Sequence, residues 1–117
     1  KEVINLYHNC DILIHMGDHE GLGLGFYESL TCCTPIITMD TFPNNELVQD
    51  GKNGLLCDLE DARGMAGQIQ QLLQNSQQRQ DLAAAGQQAY AAGFSRKHIV
   101  SQYQQFFADI TAIARSR

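Results

Sequence analysis

The chain has 117 residues, 44% of them hydrophobic, the size and composition of one compact domain rather than of a disordered segment. A formal net charge of -5 argues against nucleic acid as the main partner. No apolar run approaches the roughly 20 residues that a membrane span requires.

The charge is unevenly distributed. Residues 1–58 hold nine acids and two bases, Lys1 and Lys52, so 2 − 9 = −7, whereas residues 59–117 hold four acids and six bases, giving +2. A phosphate bound by the first half would therefore find no Lys or Arg between Lys1 and Lys52. Lys1, Glu2, Asn5 and His8 stand where a signal peptide would be apolar, so the expected location is the cytoplasm, with membrane-peripheral attachment left open for a larger parent. The cysteines are Cys10, Cys32, Cys33 and Cys57, with no C-x-x-C among them. They are read as reduced, mostly buried thiols, and no metal site is expected.

In chain order, Ile4–Cys10 reads as the end of a helix, with Leu6 and Tyr7 as apolar contacts. The nearly continuous apolar run Asp11–His15 suits a strand buried on both faces of a parallel sheet. Met16–Gly25 is a glycine-rich loop, Phe26–Cys33 a helix stopped by Pro35, and Pro35–Met39 a second strand. Pro43–Gln49 is a short helix, Gly51–Gly54 a turn, and Leu55–Cys57 a third strand. Everything after that reads as helix. Asp58, Ser76 and Ser95 are the expected N-caps of three helices. The stripe Ile99, Tyr103, Phe106, Ile110 and Ile113 is read as core packing, part of it exposed. The fold class is thus α/β: a partial Rossmann-like parallel sheet of about three strands, with flanking helices and an all-helical C-terminal half.

The stretch with chemical content is Glu20-Gly-Leu-Gly-Leu-Gly-Phe-Tyr-Glu28. A glycine loop between a strand and a helix brings backbone amides to the helix N-terminus, which favours anions. Phosphate repels a carboxylate, so Glu20 and Glu28 should face hydroxyl groups, and a vicinal diol can give a carboxylate two hydrogen bonds. Phosphates flanked by diols describe a nucleotide sugar.

Residues 20–37, EGLGLGFYESLTCCTPII, resemble the core motif of glycosyltransferase family 4, of the GT-B fold. The likeness runs on through Asp40, Glu46-Leu47-Val48, Asp50-Gly51, Asn53–Leu56 and Phe94-Ser95, in order along nearly the whole chain. The resemblance implies a retaining hexosyl transfer from a nucleoside diphosphate sugar, with no metal or other cofactor. It gives Glu20 the donor-sugar hydroxyls and the catalytic place, and Glu28 the ribose diol. Gly21, Leu22, Gly23 and Leu24 complete the donor site. Glu46 is read evenly as a helix-terminal acid or a further sugar contact; His19 is a secondary candidate. The sequence departs from the family pattern at Gly25 (usually Pro), Cys33 (usually Gly), Phe42-Pro43 (commonly Gly-Gly) and Met16-Gly17 (Pro-Ser).

Partners expected on this reading are the nucleotide sugar and an acceptor that is a glycan, a lipid or a small molecule. The resemblance places an Arg/Lys pair in the first part of the same domain and acceptor binding in a separate N-terminal domain, both upstream; a partner or homo-oligomer contact would otherwise complete the sheet, and the 117 residues alone should not turn over. Two alternatives compete: a non-catalytic nucleotide-sugar or interaction module, and a dinucleotide-binding oxidoreductase segment in which Asp40 would hold a ribose.

Overall fold

A computed structural model describes residues 2–17 and 23–116. Its elements alternate in the first half: α1 (Glu2–Asn9), β1 (Leu13–His15), α2 (Leu24–Thr31), β2 (Ile36–Met39), α3 (Asn44–Leu47) and β3 (Leu55–Cys57). Three helices follow: α4 (Ala62–Gln74), α5 (Ser76–Gly93) and α6 (Arg96–Arg115). The strands form one parallel sheet in the order β1-β2-β3, with Leu13 opposite Ile36 and Ile37 opposite Leu55. The expected three-stranded α/β architecture is the one observed.

Alternation along the strands sends side chains to two apolar layers. On one face Ile37, Leu55 and Cys57 meet Leu72 of α4 and Leu82 of α5, with Ile12, Met65 and Ile69 packed at the margin. On the other, Phe26 and Leu30 of α2 join Ile36, Leu47 and Val48, and Tyr27, Ala89, Tyr90 and Phe94 close around them. β2 lies between its neighbours and is buried along its whole length. The β3 turn is held by Asn53, whose amide donates to the Leu47 carbonyl at 2.8 Å while its oxygen accepts from the Gln49 N–H at 2.7 Å. Gly86 lets α5 approach this turn: a Cβ there would lie 3.1 Å from the Asn53 carbonyl oxygen and 3.0 Å from Leu30.

The structure corrects several expectations. β1 is an edge strand, and Ile14, 43% exposed, is not covered on both faces as its apolar run suggested. α2 begins at Leu24 rather than Phe26, so Glu28 lies beyond the first turn. Asp61, not Asp58, caps α4 by accepting from the Gly64 N–H at 2.8 Å. Asn75, not Ser76, caps α5 by accepting from the Gln78 N–H. In both cases the side chain that wins lies just before the first helical residue, where it reaches the free N–H groups. Ser95 caps α6 as expected. The aromatic stripe of α6 is not core, because no residue of that helix is buried. All four cysteines are free thiols, but Cys10 and Cys33 are exposed, Cys32 is intermediate and only Cys57 is buried.

Candidate functional site

The expected anion site falls at the carboxyl edge of the sheet, where β1 ends and α2 begins. Open parallel sheets place ligands at that edge. Gly23 stands at the N-cap of α2 in an extended conformation, φ −68° and ψ 156°, and no side chain caps the helix. The first-turn N–H groups carry the positive end of the helix dipole, and of these the Phe26 N–H turns back onto the Gly23 carbonyl at 3.0 Å. Leu24 opens the helix as an exposed residue, and its role can only be through its backbone. The first turn is anchored from below by Phe26, which is fully enclosed. Its ring meets the edge of His15 at a centroid distance of 5.5 Å and that of Tyr27 at 6.0 Å.

Glu28 sits one turn further along α2 and is partly buried. Its neighbour across the helix pair is Tyr7 of α1. Burial first, then the Glu28 charge and hydrogen bonding to that carboxylate, push the Tyr7 phenol above its ordinary value, with smaller contributions from Cys32 and Cys10. The backbone of Tyr7 is fixed from the far end: its carbonyl accepts from the Thr34 hydroxyl at 2.8 Å and from the Cys10 N–H at 3.2 Å. The phenol then runs up along α2, and a Cβ added at Gly25 would lie 2.9 Å from its oxygen.

The next layer holds the loop after β1. The Thr38 hydroxyl donates to the His15 carbonyl at 3.1 Å and lies 3.4 Å from His15 Nδ1. Asn44, buried at the start of α3, donates to the carbonyls of Gly17 and Met39, both at 3.4 Å. Glu46 is exposed on α3, and nothing in the structure assigns it to the site. Asp40 is engaged at the end of β2, where it accepts from the Asn45 amide at 2.9 Å. Two cavities open at the same edge beside α4. One, of about 300 Å³, is lined by Asp40, Asp50, Asp58 and Asp61, and one, of about 260 Å³, by Met16, Met39, Met65 and Ile69; neither contains a residue predicted for the site. Among the described residues no group of three His, Cys, Asp or Glu is placed to hold a metal ion.

Of the predicted residues, Gly23 is the N-cap of α2, Leu24 and Glu28 lie on that helix, and Glu46 is on α3. His19, Glu20, Gly21 and Leu22 lie outside the described residues. Sequence reasoning missed Tyr7, read as an apolar contact, and His15. Their signal was faint: a phenol in the helix before β1 and an imidazole at the end of β1, just ahead of the glycine loop.

Two of the cations are engaged away from this edge. Arg79 lies 3.8 Å from Asp11, before β1 and thus at the opposite edge, and Lys52 bonds Gln49 in the β3 turn. Cys33, in the turn after α2, has φ +56°, the left-handed conformation that favours glycine, which is the usual family residue there.

A three-stranded parallel α/β sheet flanked by helices, with a glycine turn leading into a helix at its carboxyl edge, is the fold class of this chain. The family is then specified by comparison. The model described as glycosyl transferases group 1 matches residues 1–89, and the chain belongs to that family. The lipopolysaccharide core biosynthesis glycosyltransferase LpsE of Rhizobium meliloti is 33% identical over 98 residues, which is 84% of this chain and 29% of LpsE. Sucrose-phosphate synthase from Thermosynechococcus elongatus superposes with a TM-score of 0.84 at 25% identity, covering 92% of this chain and 27% of that one. HepE of Anabaena, solved in complex with UDP-glucose, superposes with a TM-score of 0.76 at 22% identity, covering 96% and 30%. The fold is that of the C-terminal GT-B domain, and the chain spans under a third of the length of these relatives. No helix among the described residues is long and apolar enough to cross a membrane.

Proposed function

We propose that these residues form the donor-binding part of a retaining glycosyltransferase that moves a hexose from a nucleoside diphosphate sugar to an acceptor hydroxyl. The observation that carries the reading is the N-terminus of α2: opened by Gly23, with no side-chain cap among the described residues, at the carboxyl edge of a parallel sheet, with Glu28 partly buried one turn along. The diphosphate lies against the amides from Leu22 to Leu24, and the Glu28 carboxylate accepts from the ribose diol. Glu20 accepts from the hydroxyls of the sugar being transferred. HepE, of similar fold, holds UDP-glucose, which supports a nucleotide sugar as donor.

The reaction in this proposal needs no metal. Charge developing on the leaving diphosphate is met by oriented amides and by cationic side chains. Arg79 and Lys52 are engaged elsewhere, and in this reading the cations that meet the diphosphate, like the acceptor subsite, come from another part of a longer protein. The dinucleotide reading is weakened by Asp40, which is occupied by Asn45.

The test is a titration of the chain with UDP-, GDP- and ADP-sugars, their free nucleotides and NAD. Glu28→Gln should weaken free nucleotide and nucleotide sugar alike, by about tenfold, the worth of a charge-assisted bond to the diol. Glu20→Gln should weaken only the sugar-dependent increment. Binding of NAD without any nucleotide sugar would overturn the reading.

A further inference from the structure

We propose that Tyr7 is a positioning residue of the donor site: its hydroxyl, seated in the notch left by the missing side chain of Gly25, donates to Glu28 and holds that carboxylate toward the ribose. The proposal rests on the reading of Glu28 given above and adds a residue from a different helix to it.

Three observations converge on this hydroxyl. First, its root is fixed. Thr34, in the turn after α2, donates to the Tyr7 carbonyl at 2.8 Å, so α1 cannot slide along α2 without breaking that bond, and the Cys10 N–H closes the last turn of α1 on the same carbonyl at 3.2 Å. Second, its tip has a defined seat. An added Cβ at Gly25 would come within 2.9 Å of the phenolic oxygen, and Gly25 lies one helical turn before Glu28, on the same side of α2. Third, the groups are coupled. Burial and then the Glu28 carboxylate push the phenol above its ordinary value, and the thiols of Cys32 and Cys10 act in the same direction. A protonated phenol beside a carboxylate is a donor aimed at an acceptor-only group.

The chemistry gives the contact its purpose. An ionised glutamate has about four lone-pair directions, and a vicinal diol uses two of them. Free on a helix surface, the side chain must give up rotamer entropy when the ligand arrives. A phenol already bonded to one oxygen pre-selects the rotamer and leaves the remaining lone pairs for the ribose. Gly25 matters because its side chain would occupy the seat of that phenol. The replacement of proline at this position and the placement of Tyr7 are therefore one feature.

The experiment is a binding cycle on the 117-residue chain, using UDP, GDP and ADP and their 2′,3′-dideoxy counterparts. Wild type, Tyr7→Phe, Glu28→Gln and the double variant are compared by NMR titration. Tyr7→Phe should weaken the ribonucleotides about fivefold to tenfold and leave the dideoxynucleotides unchanged, because only the diol meets Glu28. In the double variant the loss should not exceed that of Glu28→Gln alone. Equal loss on both ligand sets would show a merely structural role for the phenol, and no loss on either would remove the role; each overturns the proposal while leaving Glu28 in place. If Glu28→Gln itself changes nothing, the donor reading falls and this one with it. Gly25→Ala provides a second variant that keeps the phenol but crowds its seat, and it should show the same diol-dependent loss; unchanged binding in a folded Gly25→Ala chain counts against the seat.

Discussion

Phe26 ties the donor edge to the core, and its removal gives the sharpest test of how the site is built. The ring is fully enclosed between Leu30, Ile36, Leu47 and Val48. Truncation to Ala takes about 150–200 Å² of apolar surface out of the core, worth about 4–5 kcal/mol at about 25 cal/mol per Å². The two edge-to-face contacts, with His15 and Tyr27, add about 0.5–1.5 kcal/mol each beyond area. The shell loses atoms it can only partly recover by collapse, and comparable Phe→Ala changes cost about 3–5 kcal/mol. Area sums of this kind are upper bounds, so the range of comparable truncations sets the expectation at about 4 kcal/mol, a large share of the roughly 5–15 kcal/mol that holds a domain together. Phe26→Leu, which refills most of the space, should cost about 1–2 kcal/mol. The assay is urea unfolding followed by far-UV circular dichroism, the natural probe for a chain without tryptophan. A loss under about 1 kcal/mol for Phe26→Ala at an unchanged denaturant slope would refute the claim that this ring is enclosed.

Other outcomes follow from the same packing. Gly86→Ala should lower stability by about 1 kcal/mol, since the new methyl presses on Leu30 and on the Asn53 backbone; Gly67→Ala, with open space around it, should gain about 0.5–1 kcal/mol from helix propensity. Thermal melts that move in the same direction for both would refute the close approach. A brief pulse of iodoacetamide, read by mass spectrometry, should label Cys10 and Cys33 and spare Cys57, whose thiol burial and then the charges of Asp61 and Asp58 push up. The phenols of Tyr7 and Tyr27 are raised above the ordinary phenol value of about 10, both chiefly by burial, so the folded state favours their neutral form. Their contribution is complete below about pH 10 and fades as pH rises through the higher folded values; a urea midpoint that climbs with pH above 10 would contradict it.

Much of this molecule could be read from its residues in order. Periodicity placed β2, β3 and the three C-terminal helices, because their apolar positions repeat at strand or helix spacing. The same pattern misled at β1. Its unbroken run of Ile and Leu describes a strand with both faces covered, yet β1 lies at the edge and Ile14 is left partly exposed. Sheet order is a property of the assembled chain, and no window of five residues contains it. Glu28 was legible because a spacing and a family motif converged on it. Tyr7 was not, since its partner lies 21 positions away and α1 and α2 meet only in the fold. Cys33 showed in sequence as a departure from glycine, but only the backbone reveals that the position is left-handed.

From Ser101 to Ser116 every residue of α6 is exposed, aromatic and charged alike. A lone helix of this length is marginal in water, since propensity alone scarcely offsets its nucleation cost. Two separate melting events are thus written into one chain. The sheet and its helices open together, with the free energy of the core behind every amide. The tail of α6 opens turn by turn at a small fraction of that cost, so its amides should exchange with solvent long before those of β2, and a protease should shorten it without disturbing the cooperative transition.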